Sequence, residues 1–222
     1  MESIITIFIY IHAGLGGIAL LSGLVSLIAK KGNNTHKKAG LLFYYTMLSS
    51  AISAMTIAFL PNHESPFLFA VGLFSSYFII TGYRSLQLKK NNHNLKIDKL
   101  ISSIMLFVSL GMIIYALINY PTINIVLLVF GIVGFIFPLS RLRLYAHPEK
   151  LKDKWLKLHL VNMIGGYISA ATAFVVVNQS FPSFYGWFIP GILGGIYIWY
   201  WIRKINKKHK NKLQLSPIDT SK

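Results

Sequence analysis

Three histidines lie within or beside long apolar segments, and their ring nitrogens are the groups in this chain best suited to hold a metal or a redox cofactor. His12 lies inside the first apolar segment, His36 precedes the second in "NNTHKKAG", and His159 lies near the start of the sixth. An imidazole removed from water needs a hydrogen-bond partner or a ligand, so an ionisable residue in such a segment is a candidate functional residue. Because neutral imidazole is a common metal ligand, a bound metal or redox cofactor is the chemistry to consider.

The sixth segment also has one face of small and polar residues. These residues follow the i, i+3, i+4 spacing of a helical face, which predicts that the face points into a bundle. They are His159, Asn162, Met163, Gly166, Ala170 and Ala173, whereas Leu160, Ile164, Ile168 and Val175 are predicted to face lipid. We expect Asn162 either to orient the His159 ring or to pack, and His36 and His159 to share a pocket.

Other ionisable residues offer less chemistry. His63, His93, His147 and His209 fall in predicted loops or the tail, where a solvated role is expected. No Asp or Glu lies within a predicted span, which argues against a proton-coupled carrier, a two-metal site or a carboxylate acid–base pair. The chain has no cysteine, so it can form no disulfide, thiolate metal site or thioether-linked haem.

The elements that must position these residues are membrane-spanning helices. Hydrophobic residues make up 54% of the chain and charged residues 13%, about half the charged share of a soluble domain. About 20 apolar residues are needed to cross a bilayer core as a helix, and a spanning segment must satisfy its own backbone hydrogen bonds. The seven segments that qualify are Ile4–Ala29, Gly40–Leu60, Pro66–Leu86, Leu100–Asn119, Thr122–Leu139, Leu156–Asn178 and Tyr185–Ile202.

The basic residues predict the orientation of these helices. All 22 Lys and Arg residues lie in Lys30–Lys38, Arg84–Lys99, Arg141–Lys157 and Arg203–Lys222, and the alternate loops contain none. The positive-inside rule therefore predicts an amino terminus outside and a carboxyl terminus in the cytoplasm. The net charge of +16 then reflects topology and attraction to anionic lipid at the cytoplasmic face, and nucleic-acid binding is not expected.

These patterns predict an all-α integral membrane protein of the bacterial inner membrane. Residues 1–203 form its seven-helix transmembrane domain, and residues 204–222 form a basic cytoplasmic tail that is expected to be disordered. Helix one is expected to pack closely against a partner through Gly14, Gly17 and Gly23, because small residues let backbones approach in membranes.

Much of the chain resembles a family of uncharacterised bacterial multi-pass membrane proteins, classified as a domain of unknown function. The resemblance lies in "IHAGLGGIALLSGLVSLIAKKGNNTHKKAGLLFYYTML", "TGYRSLQLKK" and "WLKLHLVNMIGGYISAATAFVVVN". The pairs that match the family pattern are His12 with Gly16, His36 with Gly40, and His159 with Met163. The resemblance implies an integral membrane protein and no established activity.

A looser similarity is to b-type transmembrane cytochromes, which also place a histidine in an early helix and a His-Lys-x-x-Gly stretch at the next. Two haems with paired histidines need four ligands, and this chain offers three. His12 and His159 are separated by roughly 12 Å across a membrane core of about 30 Å, so one iron cannot bind both. Only His36 and His159 are placed to ligate one haem.

Three classes of function remain open. The preferred one is a non-catalytic binding, sensing or assembly component of the membrane, which makes the chain not an enzyme. The second is a membrane redox protein that holds b haem or a quinone near the cytoplasmic face, with His12, Asn162 and Met163 as further candidate cofactor-binding residues. The third is a carrier or channel for a small solute.

Overall fold

The computed structural model describes residues 2–90, 93–118, 124–181 and 185–215. Within these ranges the chain forms seven α-helices and two single-turn 3₁₀ helices, with no strand. The helices are α1 (Glu2–Ile28), α2 (Asn34–Ile57), α3 (Pro66–Arg84), α4 (Lys96–Ile118), α5 (Ile125–Tyr145), α6 (Leu151–Val177) and α7 (Tyr185–Leu215), and the 3₁₀ helices are Ser85–Gln87 and Pro148–Lys150. The all-α class predicted from the sequence is confirmed.

Several helices extend beyond the apolar segments that predict them. α2 begins at Asn34 instead of Gly40, because the Asn33 side chain accepts a hydrogen bond from the His36 amide at 2.8 Å and caps the helix. The sequence-based boundaries of α4, α5 and α6 are wrong in the same way, since these helices include polar residues at one end. The predicted end of the fourth segment at Asn119 and the predicted start of the fifth at Thr122 lie outside the described residues.

α7 also continues past the predicted end of the transmembrane domain. It runs as helix to Leu215, twelve residues beyond Arg203. The first part of the predicted tail is therefore helical, and residues 216–222 lie outside the described residues.

α3 is the central helix of the bundle. Its buried Ile79 packs with Phe43 of α2 and Ala170 of α6. On another side, the Phe74 ring lies 5.2 Å from the Phe130 ring of α5. α1 and α2 form one hairpin, α4 and α5 form a second, and α7 packs on α6.

The outer surface of the bundle is apolar. Large hydrophobic side chains are exposed on most helices, among them Leu21, Phe107, Ile136 and Leu193. Five stretches of the described chain are long and apolar enough to cross a membrane: Ile5–Ile28, Asn34–Ile57, Lys96–Ile118, Ile125–Tyr145 and Pro148–Val177. An apolar exterior of this extent suits lipid as the surrounding solvent.

The prediction that Gly14, Gly17 and Gly23 form one packing face of α1 is confirmed at only one of the three glycines. A Cβ added to Gly23 would lie 2.5 Å from the Tyr167 ring and 3.1 Å from the Phe43 ring, so this glycine does sit at a tight contact. A Cβ at Gly14 or Gly17 would meet no atom within 4 Å. The close-packing prediction is thus wrong for Gly14 and Gly17, because that side of α1 has no neighbour among the described residues.

Candidate functional site

Polar side chains join the helix ends at one end of the bundle, which we name the basic end. Here α1, α3 and α5 finish and α2, α4 and α6 begin. Hydrogen bonds between these termini connect Ser26 with His36, Arg84 with Asp98, and Arg141 with Leu158. Tyr197 of α7 donates to the Leu27 carbonyl at 3.0 Å, so α7 joins the same end.

His36 lies in the first turn of α2, and its ring is held by α1. Its Nδ1 lies 3.0 Å from the Ser26 carbonyl oxygen and 3.1 Å from Ser26 Oγ. A carbonyl oxygen only accepts, so Nδ1 must carry the hydrogen. In the neutral ring, Nε2 then keeps a free lone pair, and it has no hydrogen-bond partner among the described residues.

His159 is held in the same way on α6. Its Nδ1 donates to the Gly82 carbonyl near the end of α3, at 2.9 Å. The half-buried ring is therefore anchored to α3, and its Nε2 also has no partner in the described part of the chain. Metal-binding histidines commonly donate their other ring nitrogen to a backbone carbonyl, which sets the tautomer and the direction of the ligating nitrogen.

A ring contact between α2 and α6 places these two histidines at the same level. Phe43 and Tyr167 are in ring contact, with centroids 6.0 Å apart. Both helices begin at the basic end, so moving two turns toward it leads from Phe43 to His36 and from Tyr167 to His159. The two imidazoles are near enough to interact electrostatically.

His12 occupies a different place. Its Nδ1 lies 2.9 Å from the Ser50 carbonyl oxygen, and Ser50 Oγ donates to the His12 carbonyl at 3.1 Å. This reciprocal pair ties α1 to α2, as expected of a neutral imidazole bonded to a neighbouring helix. The structure does not bring His12 together with His36 and His159.

Asn162 does not orient His159, which corrects one of the two roles expected for it. The residue is fully buried. Its Oδ1 accepts from Arg141 Nη2 at 2.8 Å, and its Nδ2 donates to Thr81 Oγ1 at 2.6 Å. Asn162 therefore connects α5, α6 and α3, and the Gly82 carbonyl orients the His159 ring instead.

The inward face of α6 also differs in detail from the predicted one. Met163 packs against Gly82, where an added Cβ would lie 2.8 Å from the sulfur. Asn162, Gly166 and Ala170 are buried as predicted, but Ala173 is exposed and Ile164 is buried. Ile164 was expected to face lipid, and that expectation fails because α6 has neighbours on more than one side.

Arg141 is the main residue that the sequence reasoning missed. The sequence predicts a basic loop at this position, but Arg141 lies in the last turns of α5 and is 4% exposed. It donates to Asn162 and to the Leu158 carbonyl, at 2.8 and 3.3 Å. Its position four residues before the end of an apolar helix is the only sequence signal for this burial.

A second polar cluster lies where α3 ends and α4 begins. Asp98 is 1% exposed and accepts two hydrogen bonds of 2.8 Å from Arg84. His93 Nε2 lies 2.7 Å from the same carboxylate, so His93 is not the solvated loop residue that the sequence predicted. Asp98 is also a buried carboxylate within one of the apolar helices, where no acidic residue was expected.

No group of three or more His, Cys, Asp or Glu side chains in the described ranges is arranged to hold a metal ion. A pair of histidines with free Nε2 atoms would instead be able to hold the iron of a haem. No family model, curated protein or solved structure matches this chain.

Proposed function

We propose that all seven helices cross a bacterial inner membrane, with the amino terminus outside and the basic end in the cytoplasm. The confinement of Lys and Arg to alternate loops supports this orientation. α3 has 19 residues, which corresponds to about 28 Å of helix and suffices for a bilayer core.

Aromatic and basic side chains at the basic end support the same orientation. Lys31 and Lys204 lie over the Trp201 ring at 5.3 and 4.8 Å, and Arg203 lies 3.9 Å from the Trp199 ring centre. Such pairs suit the headgroup region, where aromatic rings and cations meet anionic lipid. Lipid is therefore the partner that this surface fits, and nucleic acid is not.

Cysteine labelling tests the orientation, because the natural chain contains no cysteine. We expect a His63→Cys variant in intact cells to react with a membrane-impermeant maleimide. A Lys90→Cys variant should react only after the cells are opened. Equal labelling of both positions in intact cells would contradict the proposed topology.

We propose further that the protein binds one b haem at the cytoplasmic side, with His36 and His159 as the iron ligands. The observation that carries this proposal is the shared geometry of the two rings. Each Nδ1 is bonded to a backbone carbonyl of a neighbouring helix, and each Nε2 is left without a partner. When bound, haem would supply one-electron redox chemistry, and the protein would hold its iron between two fixed imidazoles.

The same tautomer argues against a quinone as the occupant. A quinone carbonyl needs a hydrogen-bond donor, and the neutral rings of His36 and His159 have no hydrogen on Nε2. The free lone pair is suited to a metal ion. The resemblance to b-type cytochromes is a separate ground for the same proposal.

Visible absorption of the purified protein, with and without added hemin, tests the haem proposal. We expect a strong band near the blue edge of the visible spectrum, with the sharp features of low-spin iron bound by two histidines. His36→Ala and His159→Ala should each lose the low-spin signature, because one of the two histidines that would hold the iron is then missing.

His147→Ala is the matched control, since its side chain is exposed at the same end of the bundle. It should keep the spectrum unchanged. His12→Ala should also keep low-spin haem while weakening the α1–α2 contact. A folded protein that stays colourless after addition of hemin would overturn the proposal and would favour the non-catalytic class.

A further inference from the structure

Five buried side-chain polar atoms of the described residues have no hydrogen-bond partner, and three of them converge between α3, α4 and α5. These three are Tyr77 Oη on α3, Ser102 Oγ on α4 and Arg141 Nη1 on α5. The three residues are at most 4% exposed. A buried donor without a partner costs free energy, so three of them in one region indicate a missing partner.

Helix register brings these atoms together. A Cβ on Gly134 of α5 would lie 2.6 Å from Ser109 Oγ of α4, which shows where the two antiparallel helices touch. Two turns toward the basic end from this contact lead to Arg141 on α5 and to Ser102 on α4. On α3, Tyr77 packs in the same cluster as Met105, three residues from Ser102.

The electrostatic surroundings agree with this convergence. Tyr77, Tyr145 and Asp98 surround Arg141 closely enough to affect its charge, and Ser102 lies near both tyrosine hydroxyls, although neither pair has the geometry of a hydrogen bond. Arg141, Tyr77 and Ser102 together thus present an N–H group and two hydroxyls to one buried region between α3, α4 and α5.

The charges of this region do not balance. Among the described residues, Asp98 is the only carboxylate close enough to act on the charge of Arg141. Both oxygens of Asp98 already accept hydrogen bonds from Arg84. His93 Nε2 donates to the same carboxylate, at 2.7 Å. Within the described part of the chain, Arg141 itself bonds only to the neutral Asn162 and to a backbone carbonyl. A buried cation without a counter-charge is strongly unfavourable.

We propose that Arg141, Tyr77 and Ser102 form a buried binding site for one small monovalent anion, of the size of chloride or formate. The anion would accept hydrogen bonds from Arg141 Nη1 and from the two hydroxyls, and it would neutralise the guanidinium. Asn162 and the Leu158 carbonyl position Arg141 by holding its Nη2. The site does not involve His36 or His159, so it is independent of haem.

Thermal unfolding of the purified full-length protein tests the site. Sodium chloride, bromide or formate is titrated against sodium gluconate at constant ionic strength, because gluconate is too large for a closed site. We expect a saturable rise of the unfolding temperature with each small anion, since a ligand that binds only the folded state stabilises it. Bromide should also give an anomalous diffraction peak in contact with Arg141 Nη1.

Arg141→Gln should abolish the anion-dependent rise, and Arg143→Gln is its control because Arg143 is exposed on the same helix. If Arg141→Gln fails to fold, Tyr77→Phe and Ser102→Ala keep the test open. Each removes one hydroxyl and should raise the apparent dissociation constant about tenfold or more. The proposal is overturned if the rise is absent in the parent, if it is equal in all variants, or if ordered water alone occupies the site in bromide crystals.

Discussion

Asp98→Leu is expected to lower the free energy of unfolding by about 3 kcal/mol or more, the usual cost of breaking a buried ion pair by removing one partner. Asp98 is 1% exposed, and it accepts both hydrogen bonds of the Arg84 fork. Without the carboxylate, the Arg84 guanidinium and the His93 ring lose their partner at the junction of α3 and α4. The effect can be measured as a lower midpoint of thermal or denaturant unfolding in detergent.

A double variant separates the loss of the pair from the loss of packing. Arg84→Met together with Asp98→Leu removes both charges, so it should be more stable than Asp98→Leu alone. Glu149→Gln serves as the control, because its ion pair with His147 is 3.6 Å long and exposed to solvent. It should change stability by less than about 0.5 kcal/mol. A single variant as stable as the parent would show that the Arg84–Asp98 pair contributes nothing.

Gly23→Leu should destabilise the bundle by about 1–3 kcal/mol, the range seen when bulk is forced into a packed interior. The new side chain would meet the Tyr167 and Phe43 rings, and Phe43 is only 3% exposed, so the α1–α2–α6 contact must open. The measurement is the unfolding midpoint together with the yield of monodisperse protein in detergent.

Gly17→Leu is the matched control on the same helix. It adds the same side chain where no atom lies within 4 Å, so it should fold and unfold like the parent. Both variants replace a glycine in the interior of α1 by leucine, so the change in hydrophobicity and in helix propensity is the same. They differ only in the atoms that the new side chain meets. An equal loss of stability in both would mean that α1 has a neighbour at Gly17 that the chain itself does not supply.

The sequence predicted the helices well, because a long apolar run leaves a chain few alternatives to helix in lipid. It also identified His36 and His159 as residues near one end. It could not predict that α2 and α6 lie near each other, since that depends on Phe43 packing against Tyr167 and on α3 filling the centre. Neither contact leaves a local sequence pattern.

The polar network was missed for a different physical reason. Arg84, Asp98 and Arg141 are charged residues beside basic loops, and a charged residue at a helix end is usually solvated. Whether such a residue is buried depends on its partner, and here the partners lie on other helices. Arg141 meets Asn162 from 21 residues away, and Arg84 meets Asp98 from 14 residues away. The predicted packing face of glycines on α1 was wrong for a similar reason. Small residues permit a close contact between helices, but they do not determine which side of the helix has a neighbour.

The central position of α3 sets an order of assembly during synthesis. Its hydrogen bonds to α6, through Ser75–Ser169, Thr81–Asn162 and Gly82–His159, span 94, 81 and 77 residues. At about 5–20 residues per second, a ribosome needs roughly 4–20 s to make the missing helix after α3 has emerged. Throughout that interval, the side of α3 that packs against α6 has no α6 to contact. A nascent chain that stalls before α6 would therefore leave Ser75, Thr81 and the Gly82 carbonyl of α3 without their hydrogen-bond partners on α6.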